Sequence, residues 1–308
     1  VLGSARLPTP TEGGPAAVVA AVGEAIEQAA AAAGVATADL AGVGVGSPGD
    51  VDPQAGTVRG ARNLPGWEGS FPLAAKLEAI AGARVAIGND VEVATNAELV
   101  LGAGRAYGSM LGVFWGTGVG GAVVIEHKMW PGRGDAGEIG HTVIRQGGRR
   151  CTCGRRGCLE AYAGRAAMEA RARKLHERGA ETELFELMRE HGRDRLTSGV
   201  WQRALDAHDR LAHRLVDRAD SALGAGIASA VNLLDVEAVL IGGGLGVRFG
   251  EHYVERISAA MRPHLFVADR PPHVGLVALG DLGGALGAAL LAGAGGEPAP
   301  ADTGAARG

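Results

Sequence analysis

All three cysteines of this 308-residue chain fall within CTCGRRGCLE, from Cys151 to Glu160. The spacing Cys151-x-Cys153-x4-Cys158 sets three thiols on one tight loop, with Gly154 and Gly157 placed for sharp turns. A closed structural zinc site wants four soft or borderline ligands, and three thiolates supply all but one. His141, ten residues upstream of Cys151 at the end of GDAGEIGH, offers the fourth. In a reducing compartment an odd cluster of thiols points to metal rather than disulfides. A redox-sensitive thiol cluster is the alternative.

Carboxylates flank that loop. Glu138 precedes His141 by three residues, and Glu160 follows Cys158 by two. Acids fixed by a metal loop suit bidentate contacts to the vicinal hydroxyls of a sugar; otherwise they are ordinary solvated glutamates. A further acid, Asp90, sits in RVAIGNDVEVATNAELVLGAG between a short strand and a helix. Ligands of α/β sheets bind at the carboxyl ends of strands. A carboxylate there can accept a proton from a substrate hydroxyl as its oxygen attacks phosphorus. On residue chemistry alone, the commoner role for Asp90 is to cap the following helix.

Two glycine-rich turns complete the set. WGTGVGG, Trp115 to Gly121, joins two apolar strands, and its backbone N–H groups and the Thr117 hydroxyl could meet an anion. It matches neither the dinucleotide fingerprint nor the P-loop, and alone it is equally an ordinary hairpin. IGGGLG, Ile241 to Gly246, follows the strand Val236 to Leu240. Two such loops on either side of the cysteine loop favour a nucleotide cleft.

The elements that must position these residues are readable. LAGVGVGSPGDVD, MLGVFWGTGVGGAVVI and VEAVLIGGGLG each run a strand-like apolar stretch into a glycine turn, with helical segments between them, which indicates an α/β architecture. Helices are expected over 16–33, ending at Gly34, and from about Val91 to Leu101. The recurrence of Leu211, Leu215, Ala219, Leu223, Ile227 and Val231 predicts one long amphipathic helix from Leu205 to Leu234. GGEPAPADTGAARG reads as a disordered tail.

Composition removes several function classes. At 46% hydrophobic and 21% charged residues, the chain can bury a large core. A formal charge of -4 and a pI near 6.2 give no global basic field for nucleic acid. The longest apolar candidate, LGGALGAALLAGAGG, is short and rich in Gly and Ala, and VLGSARLPTP lacks a signal-peptide core. A soluble cytoplasmic protein without membrane contact is expected.

Taken together, GDAGEIGH followed by CTCGRRGCLEAY resembles the ROK family (repressor, open reading frame, kinase), which includes bacterial glucokinases and N-acetylmannosamine kinases. ND before a helix, GTGVGG and VLIGGGLG fall in the family's order, so the resemblance runs from the start to about Ala292. It implies the actin-like ATPase fold, two ribonuclease-H-like lobes with ATP and sugar in the cleft between them. The lobes implied are 1–105, completed by a C-terminal helix at about 282–292, and 106–281 with the zinc loop 141–158, ahead of the tail 295–308. By the same resemblance, Asp90 is the general base, and Asn63, Asn89, Glu138, His141 and Glu160 contact the sugar. Gly116, Thr117, Gly118, Gly120 and Gly121 match a phosphate loop, and Gly242, Gly243 and Gly244 match the turn beside the adenosine. His141, Cys151, Cys153 and Cys158 match ligands of a structural Zn2+. The implied activity is ATP- and Mg2+-dependent phosphorylation of a hexose, with glucose leading, by a homodimer.

The chain departs from the family pattern in two places. No stretch matches the family's opening strand and Asp-x-Gly-Gly-Thr loop, and VLGSARLPTP reads as the edge strand that follows it. A fragment or misassigned start is therefore expected, ahead of a natural form without kinase activity. Val91 and Glu92 also stand where the family often has Ala-Asn. Two other readings compete with the kinase. A sugar-responsive repressor would carry a winged helix-turn-helix, and nothing of that kind precedes Leu40. The Arg-rich RQGGRRCTCGRR reads as a solvated zinc loop rather than a DNA contact. A catalytically inactive sugar-binding protein is the third reading.

Overall fold

The computed structural model describes residues 1–61, 64 and 66–293; Asn63 and the expected tail at 295–308 lie outside the described residues. The described residues pack as two units, one of Val1–Ala97 with Leu282–Gly293, the other of Glu98–Asp281.

In the first unit, β1 (Val43–Ser47) leads into a small antiparallel sheet of β2 (Asp50–Asp52), β3 (Thr57–Arg59) and β4 (Ser70–Phe71). β5 (Val85–Asn89) then pairs parallel with β1, in register from Val43 opposite Val85 to Ser47 opposite Asn89. The helix Gly14–Ala32 packs on the helix Leu73–Ala81 and buries Val18 and Val19 with Leu77 and Ile87. The closing helix Gly283–Gly293 lies directly on β1 and β5. Such close approach is possible because β1 carries glycine at position 44, where a side chain would overlap the Ala288 backbone. That helix buries Gly283, Gly287 and Ala288, while Ala285 and Ala289 are exposed. No helix among the described residues is long and apolar enough to cross a membrane.

The second unit is built on a five-stranded sheet in the order β10-β9-β6-β7-β8. Its strands are β6 (Met110–Trp115), β7 (Val119–Ile125), β8 (Lys128–Met129), β9 (Ala238–Gly242) and β10 (His273–Leu276). β6, β9 and β10 are parallel, whereas β7 and β8 turn back antiparallel. Every residue of β9 is buried, as expected of an apolar run with neighbours on both edges. The helix Arg210–Leu234 supplies much of the core, with Leu211, Leu215, Ala219, Leu223, Ile227 and Val231 all buried.

Two expectations about elements are corrected. The single helix from Leu205 to Leu234 is two helices, Ser198–Asp206 and Arg210–Leu234. Asp209 makes the break: one carboxylate oxygen accepts the Ala212 N–H and the other the Glu183 N–H, each at 2.7 Å. His208 turns the chain there with φ of 59°. Val1–Pro10 form no strand, so the edge-strand reading of VLGSARLPTP fails. Gly3 instead packs against the last turn of the helix Gly14–Ala32, near Ala29 and Ala33.

Candidate active site

The cysteine loop folds on itself as a narrow antiparallel ribbon, with bridges between Val143 and Cys158 and between Arg150 and Arg156. The Cys151 N–H donates to the Arg155 carbonyl at 2.8 Å, and the Gly157 N–H to that of Arg149 at 2.8 Å. Gly154 and Gly157 both take left-handed φ, which closes the turns. The result gathers the His141, Cys151, Cys153 and Cys158 donor atoms within 4.8 Å of one another.

Those four donors fit zinc. Cys153 and Cys158 sulfurs lie 3.7 Å apart, and His141 Nδ1 lies 3.8 Å from Cys151 Sγ. Ligands at the corners of a tetrahedron with Zn–S bonds of about 2.3 Å are separated by about 3.7 Å, whereas a disulfide needs about 2.05 Å. Burial and the two neighbouring thiols push the Cys158 thiol up to about 12. Burial also raises the Cys151 thiol, whereas the Cys153 thiol is lowered, and a bound cation would favour the deprotonated form of all three. His141 presents Nδ1 to the sulfurs, so its Nε2 faces away, 3.8 Å from Glu138 Oε2. The Glu138 side chain is 55% exposed. It therefore presents an accessible acceptor next to the ring edge.

Glu160 opens the short helix Glu160–Ala163 and is committed on both sides. Its Oε1 accepts the Thr152 hydroxyl at 3.0 Å, and its Oε2 accepts the Val119 N–H at 3.1 Å. The carboxylate thus ties the cysteine loop to the glycine hairpin. Gly118 makes this possible, since a Cβ there would overlap the Glu160 carboxylate.

The stretch Gly116–Gly118 is a three-residue hairpin loop, closed by the pairing of Trp115 with Val119. Gly120 and Gly121 lie within β7, opposite Phe114 and Val113. The hairpin is braced by a segment no local pattern indicated. Arg165 Nη2 donates to Thr117 Oγ1 at 2.9 Å, the Arg165 and Ala166 N–H groups donate to the Gly116 and Thr117 carbonyls at 3.0 Å, and Trp115 Nε1 donates to the Ala163 carbonyl at 2.7 Å. Arg165 and Thr152 are therefore site residues that sequence reasoning missed; their partners are 48 and 8 residues away.

The second glycine turn lies beside the first. β9 ends at Gly242, in register with Phe114 of the parallel β6, and runs directly into the helix Gly243–Phe249, so the expected second turn is a strand-to-helix junction that emerges, like the first turn, at the carboxyl end of its strand. Gly243 takes φ of 80°, and a Cβ on it would sit 2.6 Å from the Trp115 carbonyl oxygen. Only glycine meets both conditions. A methyl at Gly116 would in turn lie 3.7 Å from the Gly244 nitrogen.

In the other unit, Asn89 and Asp90 mark the end of β5 and the start of the helix Asp90–Val100. The cap is Asn89: its Oδ1 accepts the N–H of Val91 at 2.9 Å and of Glu92 at 3.2 Å. Asp90 is thereby relieved of the capping role that its position suggested. Its Oδ1 accepts the Val91 N–H at 3.0 Å. Although part of the side chain reaches solvent, the surrounding protein excludes enough water to raise the Asp90 carboxyl above its ordinary value, against the pull of the Val91 N–H. Asn63 lies outside the described residues.

The arrangement has known counterparts. The family model described as "ROK family" matches residues 1–294. A glucokinase of Halalkalibacterium halodurans is 36% identical over 242 residues, 78% of this chain and 72% of that protein. Among solved structures, a ROK hexokinase from Thermus thermophilus superposes with a TM-score of 0.71 at 35% identity, covering 94% of this chain and 90% of the other. A ROK family glucokinase from Streptomyces griseus, solved in complex with glucose and AMPPNP, reaches a TM-score of 0.81 at 30% identity, covering 96% and 92%. With this agreement in sequence and in three dimensions, the chain belongs to the ROK family and has its α/β, actin-like ATPase fold.

Proposed function

We propose that this chain is an ATP-dependent hexose kinase of the glucokinase type, converting glucose to glucose 6-phosphate. The observation that carries the reading is the division of labour at the end of β5. Asn89 caps the helix, so the carboxyl group of Asp90 is left to receive a proton. In the reaction the sugar hydroxyl oxygen bonds to the γ-phosphorus of ATP and the bridging P–O bond to ADP breaks. The hydroxyl proton passes to Asp90. Its raised carboxyl pKa brings it nearer to a proton carrier's working range.

Glu138, His141 Nε2 and Glu160 are assigned to the ring hydroxyls, with Asn89 and Asn63 as further contacts. Hydrogen bonding of both Glu160 oxygens within the protein favours a fixed acceptor, since each carboxylate oxygen has a lone pair to spare. Gly116–Gly118 and Gly242–Gly244 are assigned to the nucleotide, the first through the N–H groups of Thr117 and Gly118, since that of Gly116 donates to the Gly118 carbonyl at 3.0 Å. Magnesium accompanies the ATP phosphates. Zinc on His141, Cys151, Cys153 and Cys158 is assigned a structural role: with four protein ligands it keeps no open position for substrate. The proposed setting is cytoplasmic and the proposed assembly a homodimer, which light scattering would check.

The direct test is ADP release with magnesium and ATP in the presence of glucose, N-acetylmannosamine, fructose or no sugar. Turnover that requires glucose supports the reading. Sugar binding by a folded, zinc-loaded chain without any ADP release would overturn it in favour of a sensor.

A further inference from the structure

Outside this site the second unit holds an open recess of about 790 Å³ whose lining includes Arg145, Arg149, Tyr162, Arg171, Arg218 and Ser221. Four guanidinium groups converge there from three separate elements: the loop after His141, the helix Arg165–His176 and the helix Arg210–Leu234. Among the described residues none of the four forms an ion pair. The reason is visible on each lining element. On the helix carrying Arg171, Glu169 is taken by Arg173 at 2.6 Å. On the helix carrying Arg218, Asp217 and Asp220 are both held by Arg256, at 2.5 and 2.8 Å. Glu160, two residues before Tyr162, faces Thr152 and Val119. The loop residues Thr142–Arg150 contain no acid at all.

Mutual repulsion of four cations is tolerable where water or an anion screens it. Two details favour an anion. Arg171 Nε is shielded from solvent and has no hydrogen-bond partner among the described residues, although buried donors are nearly always satisfied. Arg149 is held in place beforehand, its guanidinium 4.7 Å from the centre of the Tyr162 ring and its own N–H donating to the Tyr162 hydroxyl at 2.9 Å. Fixed guanidinium forks match phosphate oxygens two at a time. Four of them match two phosphate dianions in charge and in donor number, and the volume is that of a small-molecule site.

The geometry points to a second ligand site in this recess, for a small molecule carrying two phosphate groups. It is separate from the residues assigned to sugar and nucleotide and does not depend on that assignment.

The test is calorimetric titration of the glucose-saturated, zinc-loaded chain, without magnesium or nucleotide, using fructose 1,6-bisphosphate, pyrophosphate and, as a control, fructose. At least one phosphate compound should bind at one per chain, with the tighter of the two showing whether spaced or joined phosphates are preferred. Arg171→Gln combined with Arg218→Gln should weaken that binding by about tenfold or more, the loss expected when charge-assisted hydrogen bonds are removed. Arg145→Gln, on the exposed loop, should weaken it in the same direction and keeps the test open if the double variant fails to fold. Binding unchanged in the folded variants, or no binding of either compound to the parent chain at millimolar concentration, would overturn the proposal.

Discussion

Glu160 Oε2 accepts the Val119 N–H at 3.1 Å, joining the cysteine loop to the first residue of β7 across 41 positions of sequence. Because the same carboxylate accepts the Thr152 hydroxyl, a change at Glu160 should be felt at both ends. Glu160→Ala leaves the partly buried Val119 N–H without its acceptor, a loss of about 1–3 kcal/mol. We expect the variant to melt at lower temperature and its KM for glucose to rise, with kcat falling less. Glu160→Gln retains one acceptor oxygen and should recover most of the stability but less of the KM. Differential scanning fluorimetry alongside steady-state kinetics would separate the two.

Replacing Cys153 with Ser tests whether metal and sugar depend on one loop. Serine is a poor ligand for zinc at neutral pH, so metal content measured by mass spectrometry should fall well below one per chain. His141 uses Nδ1 toward the sulfurs and leaves Nε2 on the Glu138 side, so loss of the metal frees the ring to rotate. Glucose affinity should drop with the zinc. Zinc loss with unchanged glucose binding would break the proposed link.

How much of this was legible from the chain depends on the range of the interaction. The gathering of His141 with the three thiols was, because thiols are rare here and their turns are local, held by glycines at 154 and 157. The strand-to-glycine-turn pattern also survives, since apolar runs and turn residues act over a few positions. Adjacency of the two glycine turns is different: it follows from the register that sets Phe114 opposite Gly242, which no local pattern encodes. The bracing of Thr117 by Arg165 was hidden for the same reason. Asp90 was the expected cap on residue chemistry alone, and Asn89 takes that role because β5 ends there. The helix expected from Leu205 failed because Leu205 stays in phase with the apolar stripe, while Asp209 caps a new helix between them.

Asp90→Asn should abolish most turnover with little effect on folding, because Asn89 and not Asp90 caps the helix. Loss of a general base lowers kcat by about 10²–10⁴-fold. The pH profile of the parent enzyme carries a second signature. Exclusion of water raises the Asp90 carboxyl, and the base must be ionised to act, so kcat/KM should fall toward acid at a pH above the ordinary aspartate range. A profile flat down to pH 4 would exclude Asp90 from that role.

Gly243→Ala should fail on structural grounds. Its φ of 80° is unfavourable for alanine, a strain of about 1–3 kcal/mol, and the new methyl would press on the Trp115 carbonyl. The turn can relieve the overlap only by moving away from the Gly116 hairpin. We expect weakened binding of AMPPNP, measured by calorimetry, together with a lowered melting temperature. Gly244→Ala, which meets no atom within 4 Å and has no positive φ, is the matched control and should keep its stability.

Asp220 gives the second unit a pH dependence of its own. Its side chain is buried, Oδ1 has no partner among the described residues, and Oδ2 reaches Arg256 at 2.8 Å. Burial pushes the carboxyl up to about 7, with Arg256 pulling it down and Asp217 adding to the rise. Arg256 itself is raised, because Asp217 and Asp220 both favour its charge. The shift of Asp220 is upward because one guanidinium shared by two carboxylates compensates a buried charge only in part. The folded chain then holds this proton more tightly than the unfolded one. Between about pH 4 and pH 7 the native state binds the extra proton, so Asp220's contribution to stability is present at pH 4 and is lost as pH rises toward 7. Asp220→Asn cannot ionise and should flatten that part of the curve, leaving Arg256 bound to Asp217. Urea unfolding of both proteins at pH 5 and pH 7.5 provides the measurement: the parent should lose more stability across the interval than the variant, and parallel losses would show that Asp220 does not titrate there.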